Sequence, residues 1–323
     1  MNFQNLGKVE TFQKYLDMAY NNGLAQAESV RKDTTNPNRL FRSKRIEQAR
    51  VEAVGKSLAN SLGTVGKSFP RFDALAPFYQ ELVRCTVEYD QLKKSLGALN
   101  WAKHQIEALT EKYVQDIGRT MKVEQINRVR ASYSGRVSSV LKQIKDNLVY
   151  LEEARKVMKR YPALKTSVKT VVIAGMPNVG KSTLLAQLTG SKPQVASYPF
   201  TTQRLNFGYD EEGNQYVDTP GLLDRPLEKR NKIERQAILA LKHLANLVVF
   251  VIDPTEACGY PVPDQRELLD GVRKMFDVPL IVVSNKADTG ERFKGALAIS
   301  AQKGAGLDEL KKEISGSLAQ KAR

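Results

Sequence analysis

The apolar positions of this chain follow two rhythms. In the first half they recur at helical spacing. Val137, Leu141, Ile144, Leu148 and Leu151 form one stripe, and Leu92, Leu96 and Leu99, continued by Ile106, Leu109 and Val114, form another. Leu58 and Leu62 close a segment that begins near Phe41. Breaks fall at Asn36-Pro37, Phe69-Pro70, Ala76-Pro77 and around Gly118. The pattern predicts four or five helices, the longest near 90–117 and 121–160. Such stripes must bury against one another, which predicts an all-α bundle. The second half alternates apolar β-branched runs with helical stretches, the α/β pattern. The change falls within Pro162–Lys169 and predicts domains of 1–165 and 166–323.

Charge sharpens this division. The chain has 323 residues, with 50 Lys and Arg against 35 Asp and Glu, a net charge of +15. Residues 1–168 carry 29 basic and 17 acidic side chains, and residues 169–323 carry 21 and 18. The excess therefore sits in the helical half and points to a polyanionic partner. It gathers in two clusters: Arg39, Arg42, Lys44, Arg45 and Arg50, then Lys122, Arg128, Arg130, Arg136, Lys142 and Lys145. Each can be a solvated helix face or a contact with a phosphate backbone. The size of the total favours phosphate contact. No RNA-binding motif with stacking aromatics accompanies the clusters, so base-specific readout has no support.

Cys85 and Cys258 are too few for a disulfide framework, which predicts a reducing compartment. No apolar run reaches the roughly 18 residues of a membrane span. The start, MNFQNLGKVETFQKYL, lacks the form of a signal peptide. A cytoplasmic protein without integral membrane association is expected. Trp101, His104 and Cys85 lie within helical stretches and read as core or groove residues. His104 and His243 are the only histidines, which argues against His-based metal or acid–base chemistry.

The second half opens with the apolar run Thr170–Ala174, suited to a buried parallel strand. Gly175-Met-Pro-Asn-Val-Gly180-Lys181-Ser182 follows, then a helical pattern with Leu184, Leu185 and Leu188. This is a phosphate loop in its strand–loop–helix context. Gly175 and Gly180 let backbone N–H groups, including those around Val179 and Thr183, face phosphates. Lys181 is placed for the β- and γ-phosphates and Ser182 for Mg²⁺. Asp218-Thr-Pro-Gly221 offers a carboxylate for Mg²⁺ and a glycine N–H for the γ-phosphate. Asn285-Lys-Ala-Asp288 follows the strand Leu280–Ser284. Asp288 can accept from guanine N1–H and the 2-amino group, penalising ATP by about 10⁴-fold. Lys286 can cover the base face, and Asn285 can tie this loop to the phosphate loop. Ser300, Ala301 and Gln302 fit the last base-binding loop. Thr201 and Thr202 are adjacent candidates to close over Mg²⁺ and the γ-phosphate. In this order, the pieces predict a GTP/GDP-binding domain.

Leu222 occupies the place where many signalling GTPases carry a water-orienting glutamine. Hydrolysis is therefore predicted to be slow or to borrow another group. Asn178 could hold a monovalent cation, K⁺, beside the phosphates, or could simply shape the loop; a trans-acting group is the third option. Lys181, Thr202, Gly221 and Asn178 are the catalytic candidates.

Several segments support a resemblance. The phosphate loop, Tyr198-Pro-Phe-Thr-Thr202 and Asp218-Thr-Pro-Gly-Leu-Leu-Asp224 resemble the Obg branch of GTPases. Asp224-Arg-Pro-Leu-Glu-Lys-Arg-Asn231, Ile233–Ile238, Ala240–Leu244 and Asp253-Pro-Thr-Glu-Ala-Cys-Gly-Tyr260, leading to Gln265, narrow it to the nucleolar GTP-binding protein 1 family. Pro77–Leu82 and Leu96–Asn100 match in the helical half, so the resemblance runs from about 40 to 290. It implies a helical bundle followed by a Ras-like P-loop GTPase domain with a mostly parallel, six-stranded sheet. It also implies assembly of the large ribosomal subunit, with the bundle contacting rRNA and the protein monomeric off the ribosome. Within the family's pattern Thr202 is the Mg²⁺ ligand beside Ser182 and Asp218. Because the chain stops about 20 residues past Ser300-Ala301, it resembles a short archaeal form. Residues Asp224–Asn231 read either as a solvated loop or as a segment that moves with nucleotide state. Three functions stay in play: an assembly GTPase, a module for which GTP is a structural ligand, and a GTPase of anionic membranes.

Overall fold

The structure is a computed structural model that describes residues 3–190, 193–197, 204–218, 220–221, 223–224, 238 and 240–320. Two compact units emerge. A bundle unit comprises Asn5–Pro70 and Val87–Lys159; a sheet unit comprises the N-terminus through Gln4, Arg71–Thr86 and Arg160 onward.

The bundle unit contains α1 (Phe12–Asp33), α2 (Arg39–Ser68), α4 (Tyr89–Arg119), α5 (Val123–Gln143) and α6 (Lys145–Met158), while α3 (Pro77–Thr86) belongs to the sheet unit. Helix starts follow local chemistry. The Thr11 side chain accepts from Lys14 N–H at 3.3 Å, and the Asn38 side chain accepts from Phe41 N–H at 3.0 Å, satisfying orphan donors of α1 and α2. Helix α3 begins on proline, whose missing N–H costs nothing there. The stripe Val137, Leu141, Ile144, Leu148 and Leu151 is buried throughout. On α4 the buried face runs Leu92, Ser95, Leu99, Ala102, Ile106, Tyr113 and Ile117, so Leu96, Leu109 and Val114 are only half-buried. Helices α2 and α4 pack closely: a side chain at Gly55 would overlap Thr110.

Two expectations change. The long helix near 121–160 is broken at Ile144, where φ −98° and ψ 9° leave the helical region and the N–H turns to the Leu141 carbonyl. No proline or glycine marks this break, because Ile144 is buried and tertiary packing sets it. Trp101 is 40 % exposed on α4 and His104 is exposed, pairing with Glu107 at 3.2 Å; neither lies in the core. Cys85 is half-buried, and burial pushes its thiol up to about 12 with help from Glu81.

Contacts group α3 and the residues from Arg160 onward with the sheet unit. Within the sheet unit, the hydroxyl of the fully buried Tyr79 of α3 lies 2.9 Å from the carbonyls of both Pro162 and Leu164 and shares its one proton between them. Its ring lies 5.1 Å from that of Phe3, and Phe3 lies 5.1 Å from Tyr161. Gln215 holds the following residues: its Oε1 accepts from Lys165 N–H at 3.0 Å. The aromatic cluster therefore fastens α3 and residues 160–165 to the sheet unit.

Among the described residues the sheet has seven strands: β1 (Thr170–Ala174), β2 (Gln194–Ser197), β3 (Arg204–Tyr209), β4 (Gln215–Asp218), β5 (Leu247–Ile252), β6 (Leu280–Ser284) and β7 (Leu297–Ala298). Their spatial order is β2-β3-β4-β1-β5-β6-β7, with β2–β3 and β3–β4 antiparallel and the rest parallel. The extra strand beyond the six expected is β2. It is an edge strand with Val195 57 % exposed, so it lacks the apolar run of a buried strand. The unit also contains helices α7 (Lys181–Thr189), α8 (Val262–Met275) and α9 (Leu307–Gln320). The core strands β1 and β5 are buried at every position. Because β1 lies between β4 and β5, the chain order reverses beside it, and a crevice at the carboxyl ends of the strands is expected there.

Candidate functional site

The loops leaving β1, β4, β5 and β6 converge at that carboxyl edge. After β1 the chain turns tightly through Gly175 (φ +140°), Asn178 (φ +61°) and Gly180 (φ +101°) into α7. A side chain at Gly175 would strike the Val251 carbonyl, and one at Gly180 would strike the Asn285 amide. Both glycines are thus required by position as well as by backbone angle. The turn leads straight into the N-terminus of α7, and a helix N-terminus favours an anion.

Lys181 is buried and donates its ammonium to the carbonyls of Gly175 at 2.9 Å and Met176 at 2.7 Å. Burial lowers its pKa from the ordinary lysine value, and the charges of Asp218 and Asp224 oppose that shift without reversing it. The Ser182 hydroxyl donates to Asp218 Oδ2 at 2.6 Å. Asn206 on β3, paired across from Asp218, donates to the same oxygen at 3.2 Å. Asp218 is fully buried at the end of β4. A hydroxyl and a buried carboxylate this close are hard oxygen donors of the kind that suits Mg²⁺. Gly221 adopts φ +73°, and the neighbouring Leu223 carbonyl accepts from Gly175 N–H at 3.3 Å, which brings this segment to the β1 loop.

Asn285 links three loops. Its Nδ2 donates to the Val179 carbonyl at 2.8 Å, and its Oδ1 accepts from Ala301 N–H at 2.9 Å. It is buried, as are Val179, Ser300 and Ala301. Asp288 lies on the short turn Ala287–Thr289; the Ser300 hydroxyl, then Lys303 at 3.2 Å, hold its carboxyl below the usual range. Gln302, Ser182 and Thr183 are exposed. Lys286 has φ +60°, and its ammonium meets Asp253 Oδ2 at 2.6 Å. Burial alone raises the Asp253 carboxyl, but Lys286 and Thr255 together hold it below the ordinary value.

The structure therefore gathers Gly175, Asn178, Val179, Gly180, Lys181, Ser182, Asp218 and Gly221 around the β1 loop, and joins them through Asn285 to Lys286, Asp288, Ser300 and Ala301. Thr201, Thr202, Leu222 and residues 225–231 lie outside the described residues. Asn206 and Lys303 escaped the sequence reading. Asn206 is announced only by its cross-strand register, and Lys303 only by a salt bridge to a loop 15 residues away. Among the described residues no cluster of three or more His, Cys, Asp or Glu could hold a metal ion, and no helix is long and apolar enough to cross a membrane.

Comparisons with known proteins place these features in a family. The family model of the NOG1 N-terminal helical domain matches residues 3–164, and that of nucleolar GTP-binding protein 1 matches residues 232–288. An uncharacterized protein of Methanocaldococcus jannaschii is 44 % identical over 77 % of this chain and 71 % of its own length. The nucleolar GTP-binding protein 1 of Drosophila melanogaster is 31 % identical over 89 % of this chain and 44 % of its own length. The chain thus spans under half the length of that relative. A nucleolar GTP-binding protein 1 crystal structure from Plasmodium falciparum is 27 % identical, covering 50 % of this chain and 92 % of that one with a TM-score of 0.44.

Proposed function

The chain belongs to the nucleolar GTP-binding protein 1 family, and from that premise we propose that it binds GTP and GDP, hydrolyses GTP slowly, and serves assembly of the large ribosomal subunit. The observation that carries the nucleotide reading is Asn285. It bridges the phosphate-type loop at Val179 and the Ala301 loop with two buried hydrogen bonds, building one continuous cradle from separate strands.

The residues divide the work. The Gly175–Gly180 backbone and the start of α7 receive the phosphates, and Lys181 exchanges a carbonyl contact for a phosphate oxygen. Phosphate charge favours the ammonium form that burial disfavours. Ser182 and Asp218, with Thr202 completing the set in the family's pattern, would hold Mg²⁺, which when bound neutralises charge on the phosphate oxygens. Gly221 offers its N–H toward the γ-phosphate, so this segment can report its presence. Asp288 reads the guanine edge. Ser300 keeps that carboxyl in place, and Ala301 anchors Asn285. Leu222 supplies no polar group to orient water, which is the basis for slow intrinsic turnover.

The bundle unit supplies the RNA contact in this reading. Arg39, Arg42 and Arg45 are exposed and follow one another at helical i, i+3 spacing on α2. Lys44 and Arg50 are otherwise engaged, Lys44 with the Gly118 carbonyl at 2.8 Å and Arg50 with Glu47 at 3.3 Å. Nucleotide state, sensed at Gly221, controls association with or release from the ribosomal precursor. The test is titration with GTP, GDP and ATP, followed by a single-turnover GTP assay. Tight binding of both guanine nucleotides, weak ATP binding and slow phosphate release support the proposal. Equal affinity for ATP would overturn the base-site assignment.

A further inference from the structure

The segment Asp253–Gln265 takes no part in the phosphate or guanine-edge contacts, yet its hydrogen bonds converge on the base loop. Asp253 follows β5 and is fully buried. Its Oδ1 accepts from the Thr255 N–H at 3.1 Å and hydroxyl at 2.6 Å. Its Oδ2 accepts from Cys258 N–H at 2.9 Å and from the Lys286 ammonium at 2.6 Å. These four donors fill the capacity of a carboxylate. Three of them close the loop on itself; the fourth comes from the loop that carries Asp288.

The main chain of Asp253 is fixed just as closely. Gln265, buried in the first turn of α8, accepts from Asp253 N–H at 2.9 Å. Its Nε2 donates to the carbonyls of Asp253 and Tyr260, both at 2.9 Å. Gln265 thus holds Asp253, and Asp253 holds Lys286. Lys286 is fixed at both ends, by a left-handed backbone (φ +60°) and by a short charge-assisted bond at the ammonium. Its methylene stem, only partly exposed, is left with little freedom between them.

We propose that Asp253 is a positioning residue for nucleobase binding: by pinning the Lys286 ammonium, with Gln265 as its backstop, it presets the lysine stem as an apolar rail for one face of a purine. The inference rests on the reading that a guanine lies at Asp288. A free lysine stem loses substantial rotamer freedom when a base packs on it, and the pinned stem has lost it already. The ligand feature recognised is the face of the purine rather than its edge. The contribution is therefore the same for a base with or without the 2-amino group.

The experiment uses the full chain and a double-mutant cycle, with dissociation constants for GDP and IDP measured by calorimetry. Asp253→Asn is expected to weaken both nucleotides equally, by about tenfold, the scale of the rotamer freedom that an unpinned lysine side chain loses when a base packs on it. Lys286→Met is expected to do the same, and the double variant to be no weaker than Lys286→Met alone. A structural lesion at Asp253 would instead add to the Lys286→Met loss. Wild-type affinity in Asp253→Asn, or losses that multiply, would overturn the inference. If Asp253→Asn does not fold, Asp253→Glu, which keeps the charge but shifts the carboxylate, takes its place in the cycle; wild-type affinity there, or losses that multiply with Lys286→Met, overturn the inference in the same way. Failure of the wild-type chain to bind GDP would count against the guanine-site reading instead.

Discussion

Asn285 offers the sharpest perturbation of the cradle. Asn285→Ala removes a donor from the Val179 carbonyl and an acceptor from Ala301 N–H, both in buried surroundings. Each buried group left unpaired costs about 1–3 kcal/mol, so the pair costs about 2–6 kcal/mol. For a unit of this size, about 4 kcal/mol lowers the melting midpoint by roughly 8–16 °C. Asn285→Asp separates the two contacts: it keeps an acceptor for Ala301 but sets a carboxylate oxygen against the Val179 carbonyl. It should therefore damage the phosphate side and spare the Ala301 side. The assay pairs thermal denaturation of the nucleotide-free protein with calorimetric titration of GDP. Both variants should lose stability and at least tenfold in affinity. A variant that binds GDP within twofold of wild type, at an unchanged midpoint, would refute the bridge.

Three further outcomes are expected. Reversing Arg39, Arg42 and Arg45 to glutamate should weaken RNA association and flatten its salt dependence, since each lost phosphate contact removes roughly one unit of slope; GDP affinity should stay put, and an equal fall in both would contradict the separation of roles. The Asp253 carboxyl is held below its ordinary value of 3.8, so its contribution to stability is present above that value and is lost as pH falls through the lowered one. Denaturation between pH 6 and 3 should show a steeper acid loss in wild type than in Asp253→Asn, and parallel curves would refute the linkage. If Asn178 places a cation beside the phosphates, GTP turnover should be faster in potassium than in sodium at equal ionic strength; equal rates would leave Asn178 a loop-shaping role.

Much of this architecture is legible in the chain itself, and the exceptions share a cause. Strand β1 and its loop stand out because the buried run Val171–Ala174 is apolar throughout, and the glycines of the turn have no substitute. The stripe from Val137 to Leu151 stands out because each residue is buried. Strand β2 is silent because an edge strand need not bury either face. Ser95 lies on the buried face of α4 where an apolar residue would be sought; Asn147 reaches its hydroxyl at 3.2 Å, a partner 52 residues away. The break at Ile144 and the placement of α3 in the sheet unit depend on packing between distant segments. At the site, the motif residues are readable from their order at strand ends. Asn206, Lys303 and the Asp253–Lys286 pair are not, because each acts through a contact that only the folded sheet creates.

In the proposed function the basic bundle joins a guanine-nucleotide switch to the large ribosomal subunit. Crosslinking the protein to RNA in cells and mapping the sites on both molecules tests it most directly. Crosslinks to large-subunit rRNA or its precursor, concentrated on α2 around Arg39–Arg45, are expected. Crosslinks confined to other RNAs, or an absence of RNA crosslinks from the bundle unit, would contradict it.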